Sequence, residues 1–178
     1  MCLVDRTQPA ITIMKWQLYS LKGKNISEYT SDLIDQMRKS FFGVIDYVLI
    51  EQQVSRNTQM KVLSHVLQAY FMTAHSVPPE KVIFLSAKRR FKTKSPHYNI
   101  IVNSARCELG LGETDKLGRK DIKKLAVKIV TDKEITLDPV WRDFFAKNSK
   151  KDDLADSFLQ AYTWCVDGSS WSDLMQID

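Results

Sequence analysis

Cysteine and histidine are scarce in this chain. Its 178 residues hold three cysteines, Cys2, Cys107 and Cys165, far apart and without a CxxC pair. A disulfide framework and a structural zinc site both need cysteines at short or repeated spacing, so neither is expected, and a reducing, intracellular compartment is. The three histidines, His65, His75 and His97, show no metal-ligand spacing either. No apolar run approaches the roughly 18–20 residues of a membrane helix, so no membrane partner is expected. A secretory signal pattern is also missing, because Asp5 and Arg6 interrupt the opening stretch and no basic segment precedes it. Internal repeats and low-complexity segments are absent.

What is present suits a globular domain. Hydrophobic residues make up 44% of the chain, ordinary for a domain with one core. The reading is one domain over residues 1–166 and a loosely held tail over 167–178. The net charge of +5 favours a polyanionic partner such as nucleic acid.

The pattern predicts an α/β fold. Met1–Val4 and Ile11–Leu21 read as two strands of a hairpin, turning at Asp5–Pro9. Ser27 is a candidate cap for a helix from Glu28 to Ser40, with Tyr29, Leu33, Ile34, Met37 and Phe41 on one face and Gly43 after it. Val44–Ile50 is apolar and β-branched, as a strand covered on both faces would be. A helix over Ser55–His75 follows, with Met60, Leu63, Leu67, Tyr70 and Phe71 at helical spacing. Tyr70 and Phe71 fit a core position or a dimer seam. Lys81–Ser86 is a second short strand, and Ala87–Leu117 reads as a long irregular stretch. Helices are predicted over Arg119–Asp132, Pro139–Ala146 and Asp152–Val166. Alternating strands and helices after a hairpin imply a mixed sheet.

Acidic residues gather at two places. Lys150-Lys151-Asp152-Asp153-Leu154-Ala155-Asp156 puts three aspartates at the start of the last helix, where the helix dipole favours them. Aspartates three or four residues apart share a side of a helix. Glu51 ends the apolar run Val48-Leu49-Ile50. Carboxylates at a strand end and a helix start can together hold divalent cations, and such a pair of ions drives phosphodiester hydrolysis. The plainer alternative is a solvated helix start and a strand-end residue at the surface. Spacing alone leaves open which aspartates would pair.

Two segments carry a resemblance. Ile50-Glu51-Gln52-Gln53-x-x-Arg56-Asn57-x-x-Met60 and Lys150-Lys151-Asp152-Asp153-Leu154-Ala155-Asp156-Ser157 resemble, in order and separation, two catalytic segments of the Holliday-junction resolvases of the poxvirus and mitochondrial type, distant relatives of bacterial RuvC. The resemblance runs over roughly residues 1–166. It implies a ribonuclease-H-like mixed sheet flanked by helices, and a Mg²⁺-dependent (or Mn²⁺-dependent) endonuclease that resolves four-way DNA junctions in recombination, replication or repair. It assigns Glu51, Asp153 and Asp156 to the metal ions and leaves Asp152 as a helix-start charge. It suggests Lys88 as a catalytic lysine, and a homodimer to match the two-fold junction. Members of this type place the activity in the cytoplasm (a viral factory) or the mitochondrion. They also open with a strand carrying an aspartate and a glycine turn. Here the opening strands resemble the second and third instead, so the first strand and its aspartate are not in this sequence. Asp5 is a candidate substitute, though no glycine turn follows it. A junction-binding protein without catalysis, or a truncated product, is the rival expectation.

Cations supply the remaining candidates. Lys88-Arg89-Arg90-Phe91-Lys92-x-Lys94 packs five of them into seven residues beside an aromatic. Such a segment can neutralise phosphates, with Phe91 stacking or wedging at an opened junction. Arg119, Lys120, Lys123, Lys124 and Lys128 give their helix a basic outer surface. Arg56, Lys120 and Lys151 complete the candidate DNA contacts, with Asn57 beside them. A solvated basic face is the plainer alternative for each run.

Overall fold

The computed structural model describes residues 1–7, 11–40, 43–53, 57–112 and 115–167. The chain forms two compact units, one from Met1–Leu18 together with the stretch from Lys88 onward, the other from the continuous segment Tyr19–Ala87. Among the described residues, helices and short strands alternate, as an α/β fold requires. The four strands form two separate two-stranded sheets, one in each unit, where the sequence led us to expect a single mixed sheet.

The continuous unit holds α1 (Ile26–Arg38), β3 (Val48–Glu51), α2 (Thr58–Ala74) and β4 (Val82–Leu85). The strands β3 and β4 are parallel, in register from Val48 opposite Val82 to Glu51 opposite Leu85. A parallel pair needs a crossover, and α2 supplies it, packing on both strands and on α1. Val48 and Ile50 are buried while Leu49 and Glu51 are half-buried. That alternation corrects the expectation of a strand fully covered on both faces. The strand also starts later than expected, since Val44 is 94% exposed. Asn25, not Ser27, caps α1: its side chain accepts from the Glu28 N–H, and the Glu28 carboxylate reaches back to the Lys24 N–H at 2.8 Å. Leu33 and Met37 form the buried face of α1, and Phe41 lies outside the described residues.

The split unit holds β1 (Cys2–Asp5), β2 (Thr12–Trp16), α3 (Pro96–Glu108), α4 (Arg119–Val130), α5 (Pro139–Lys147) and α6 (Lys151–Asp167). The expected hairpin is present: β1 and β2 are antiparallel, with a register shift between Leu3 and Val4. The second strand stops at Trp16, well short of Leu21. Trp16 explains the stop, because its side chain turns into the core. Its ring stacks on Phe145 at 5.2 Å, and its Nε1 donates to the Leu154 carbonyl at 3.0 Å and to Ser157 Oγ at 3.3 Å. Trp141 Nε1 donates to the Ile13 carbonyl at 2.8 Å, which ties α5 to the same strand. Around these anchors lie Leu125, Ile129, Leu154, Phe158 and Leu159, all essentially sealed from water.

The stretch expected to be irregular contains a helix. Ser95 caps α3 through the Tyr98 N–H, Pro96 occupies its first turn, and Tyr98, Ile101, Val102 and Ala105 form its buried face. Before it, Ala87–Phe91 makes a short 3-10 turn. Residues 168–178, the body of the expected tail, lie outside the described residues.

Candidate functional site

The acidic residues of α6 are sorted by its buried face. Leu154, Ala155, Phe158, Leu159 and Ala161 pack inward. Asp152 and Asp156, four residues apart, flank that face on one side. Asp153 points outward and is exposed. The helix start is fixed locally, with Asn148 Oδ1 accepting from the Lys150 N–H at 3.0 Å.

Each flanking aspartate meets a cation from another element. Lys123 of α4 forms a short ion-paired hydrogen bond with Asp152. That hydrogen bond holds the Asp152 carboxyl below the usual carboxylate range and pushes the Lys123 ammonium up. Arg90, from the 3-10 turn, places Nη1 3.0 Å from Asp156 Oδ2. The Arg90 side chain is only 8% exposed, against 25% for that of Asp156. The Arg90 carbonyl accepts from the Tyr98 hydroxyl at 2.6 Å. Burial raises the Tyr98 phenol well above its usual value, so it stays protonated and able to donate.

The basic segment is therefore not a uniformly exposed loop. Lys88, Lys92 and Lys94 are exposed and Arg89 is half-buried, but Arg90 is turned inward onto Asp156. Its position as a DNA-facing cation is corrected for that reason. Phe91 is also corrected: its ring packs against the core, with the Arg90 guanidinium 5.4 Å from its centre, so it is not presented as a wedge. The segment is anchored at its far end as well, where the Lys94 N–H donates to Asp167 at 2.8 Å.

On α4, Arg119, Lys120 and Lys124 are exposed. Lys123 and Lys128 are committed to ion pairs with Asp152 and Glu108. Lys151 is half-buried in the first turn of α6. The Asp5 carboxylate accepts from the Thr7 N–H at 2.8 Å, which engages it in the turn after β1 and keeps its carboxyl low.

In the other unit, Glu51 is the last residue of β3, at the carboxyl end of the parallel pair, with the Gln52 N–H continuing to the Leu85 carbonyl at 2.8 Å. Asn57 caps α2 by accepting from the Met60 N–H. Arg56 lies outside the described residues. Among the described residues, no three His, Cys, Asp or Glu side chains form a metal-holding group. No described helix is long and apolar enough to cross a membrane.

Two pairings are not foreshadowed by spacing. For Lys123 a signal exists, since it adjoins Ile122 and precedes buried Ala126 by three residues, at the edge of the apolar stripe. Nothing in the local sequence marks Arg90 as the cation that goes inside.

No family model and no solved structure matches the chain. It is similar to uncharacterized protein 170L of Invertebrate iridescent virus 6, with 27% identity over 164 residues. The match covers 84% of this chain and 63% of that protein, so the chain spans less than two thirds of its relative's length.

Proposed function

We propose that the protein is a Mg²⁺-dependent, structure-selective endonuclease of the resolvase type, with a ribonuclease-H-like fold, acting on four-way DNA junctions as a homodimer. The observation that carries this reading is the element type under each acidic motif. Glu51 ends a strand of a parallel pair, and Asp153 and Asp156 occupy the first two turns of the last helix. Carboxyl ends of parallel strands are where α/β proteins gather polar ligands.

The donor chemistry fits a hard divalent cation. Carboxylate oxygens are the ligands Mg²⁺ prefers, and the acidic turn already draws the cations Lys123 and Arg90 to itself. Glu51, Asp153 and Asp156 would hold the metal, which supplies activation of a water and stabilisation of the leaving oxygen. Asp152, engaged by Lys123, would tune the charge of the turn. Lys88, Lys92, Lys94 and Lys120 are exposed and would fix the phosphate backbone without reading sequence.

One observation favours a second reading, a junction-binding protein without catalysis: Asp156 is already held by an arginine. Mn²⁺ binding and Mg²⁺-dependent cleavage of a synthetic four-way junction separate the two. The nuclease reading expects Asp153→Asn to lower metal affinity more than Asp152→Asn, and to abolish cleavage while junction binding survives. Junction binding with neither metal binding nor cleavage would establish the second reading instead.

A further inference from the structure

Alone among the five cations of the segment 88–94, Arg90 is buried. A guanidinium leaves water only at a cost, which a close carboxylate and good hydrogen-bond geometry offset. Asp156 provides that carboxylate at 3.0 Å. The backbone of the same residue is held by the Tyr98 hydroxyl at 2.6 Å, and Tyr98 itself is fully buried. The 3-10 turn is thus pinned at side chain and main chain, and its side-chain pin is an acid that the nuclease reading assigns to the metal.

A divalent ion and a guanidinium compete for the same carboxylate oxygens. We infer that Arg90 is a built-in counter-ion of Asp156 which a divalent cation must displace, so that metal binding on α6 is coupled to the conformation of the basic segment. The inference rests on the proposed metal role of the α6 aspartates. Coupling of this kind is reciprocal. An anion that draws Arg90 outward raises the affinity of the acidic turn for metal, and metal binding releases Arg90 towards an anion. A phosphate backbone lying along Lys88, Lys92 and Lys94 is the anion whose chemistry fits. The basic segment would then reach its full charge only when the acidic turn is loaded.

The test uses the full chain without DNA. Mn²⁺ affinity is measured by calorimetry for the wild type, Arg90→Gln and Asp153→Asn, and the arginine Nε–Hε resonances of the wild type are followed during a Mg²⁺ titration. The expected result is that Arg90→Gln binds Mn²⁺ roughly five-fold or more tighter, the lower end of ordinary coupling between sites. The Arg90 Nε–Hε signal should also shift and exchange faster with water as Mg²⁺ saturates. Equal or weaker Mn²⁺ binding by Arg90→Gln, with an unmoved Arg90 signal in the wild type, overturns the inference. If Arg90→Gln does not fold, or if the two readouts disagree, the wild-type resonance decides. The outcomes also separate this inference from the reading beneath it. Metal binding that Asp153→Asn abolishes but that leaves Arg90 untouched overturns only the counter-ion. No metal binding by any form overturns the metal site itself.

Discussion

Asp152 and Lys123 set a pH window for the start of α6. The Asp152 carboxyl is held low chiefly by its hydrogen bond from Lys123. Its stabilisation is therefore present above the unfolded value of about 3.9 and lost as pH falls through the lower folded value. The Lys123 ammonium is pushed up by the same bond, so its share is present below about 10.4 and lost as pH rises through the raised value. Between these limits the pair contributes a plateau. The gap in melting temperature between wild type and Asp152→Asn should hold steady from roughly pH 5 to 9 and close on acidification below about pH 4. A gap that survives unchanged at about pH 3 would mean the carboxylate does not act through its charge. The acidity of this turn is legible in the sequence, because three aspartates in five residues cannot be overlooked. Which of them carries a partner is not, since Lys123 and Arg90 arrive from other elements, 29 and 66 residues away from their acids (152 − 123 and 156 − 90).

At the scale of elements, α6 is the keystone of the split unit, packed against β1, α4 and α5. Leu159 lies at its centre with 0% exposure, whereas Val140 on α5 is 70% exposed. Leu159→Ala should cost about 2–5 kcal/mol of stability through lost transfer energy and the cavity it leaves. Val140→Ala should stay within about 0.5 kcal/mol. Urea unfolding midpoints of the two variants check both, and similar values would show that the α6 face is not a core. Helices with long apolar stripes, α2 and α4 among them, are readable to within a few residues at each end. The third helix is harder to see, because Pro96 reads first as a break. Ser95 followed by a proline is instead a start signal, with the hydroxyl capping and the ring in the first turn. Tyr98, Ile101, Val102 and Ala105 then repeat at helical spacing, so the signal is present but outweighed by the glycines and polar residues around it.

At the scale of the molecule, charge should govern affinity for nucleic acid. Each phosphate deprived of its cation partner flattens the dependence of log affinity on log salt by up to about 0.9. In metal-free buffer, neutralising Lys88, Lys92 and Lys94 together should flatten the slope for a four-way junction, and Arg90→Gln alone should leave it unchanged. Equal flattening by both would return Arg90 to the surface. The α/β class is legible because strands and helices alternate along the chain. The division into two units is not, because local patterns carry no record of distant partners. Trp16 and Leu154 are hydrogen-bonded across 138 residues, and nothing near either residue announces the other.

That separation has a consequence for synthesis on the ribosome. The unit Tyr19–Ala87 is continuous and can gather its own residues as they emerge. The split unit cannot, because β2 leaves the exit tunnel long before α6 exists. At about 5–20 residues per second, Trp16 waits on the order of ten seconds for the carbonyl it will bind. During that wait Ile13 and Trp16, both core residues in the finished protein, have no core to enter. The early hairpin is thus the part of the nascent chain most in need of a chaperone, and slowing translation ahead of residue 154 lengthens its exposure.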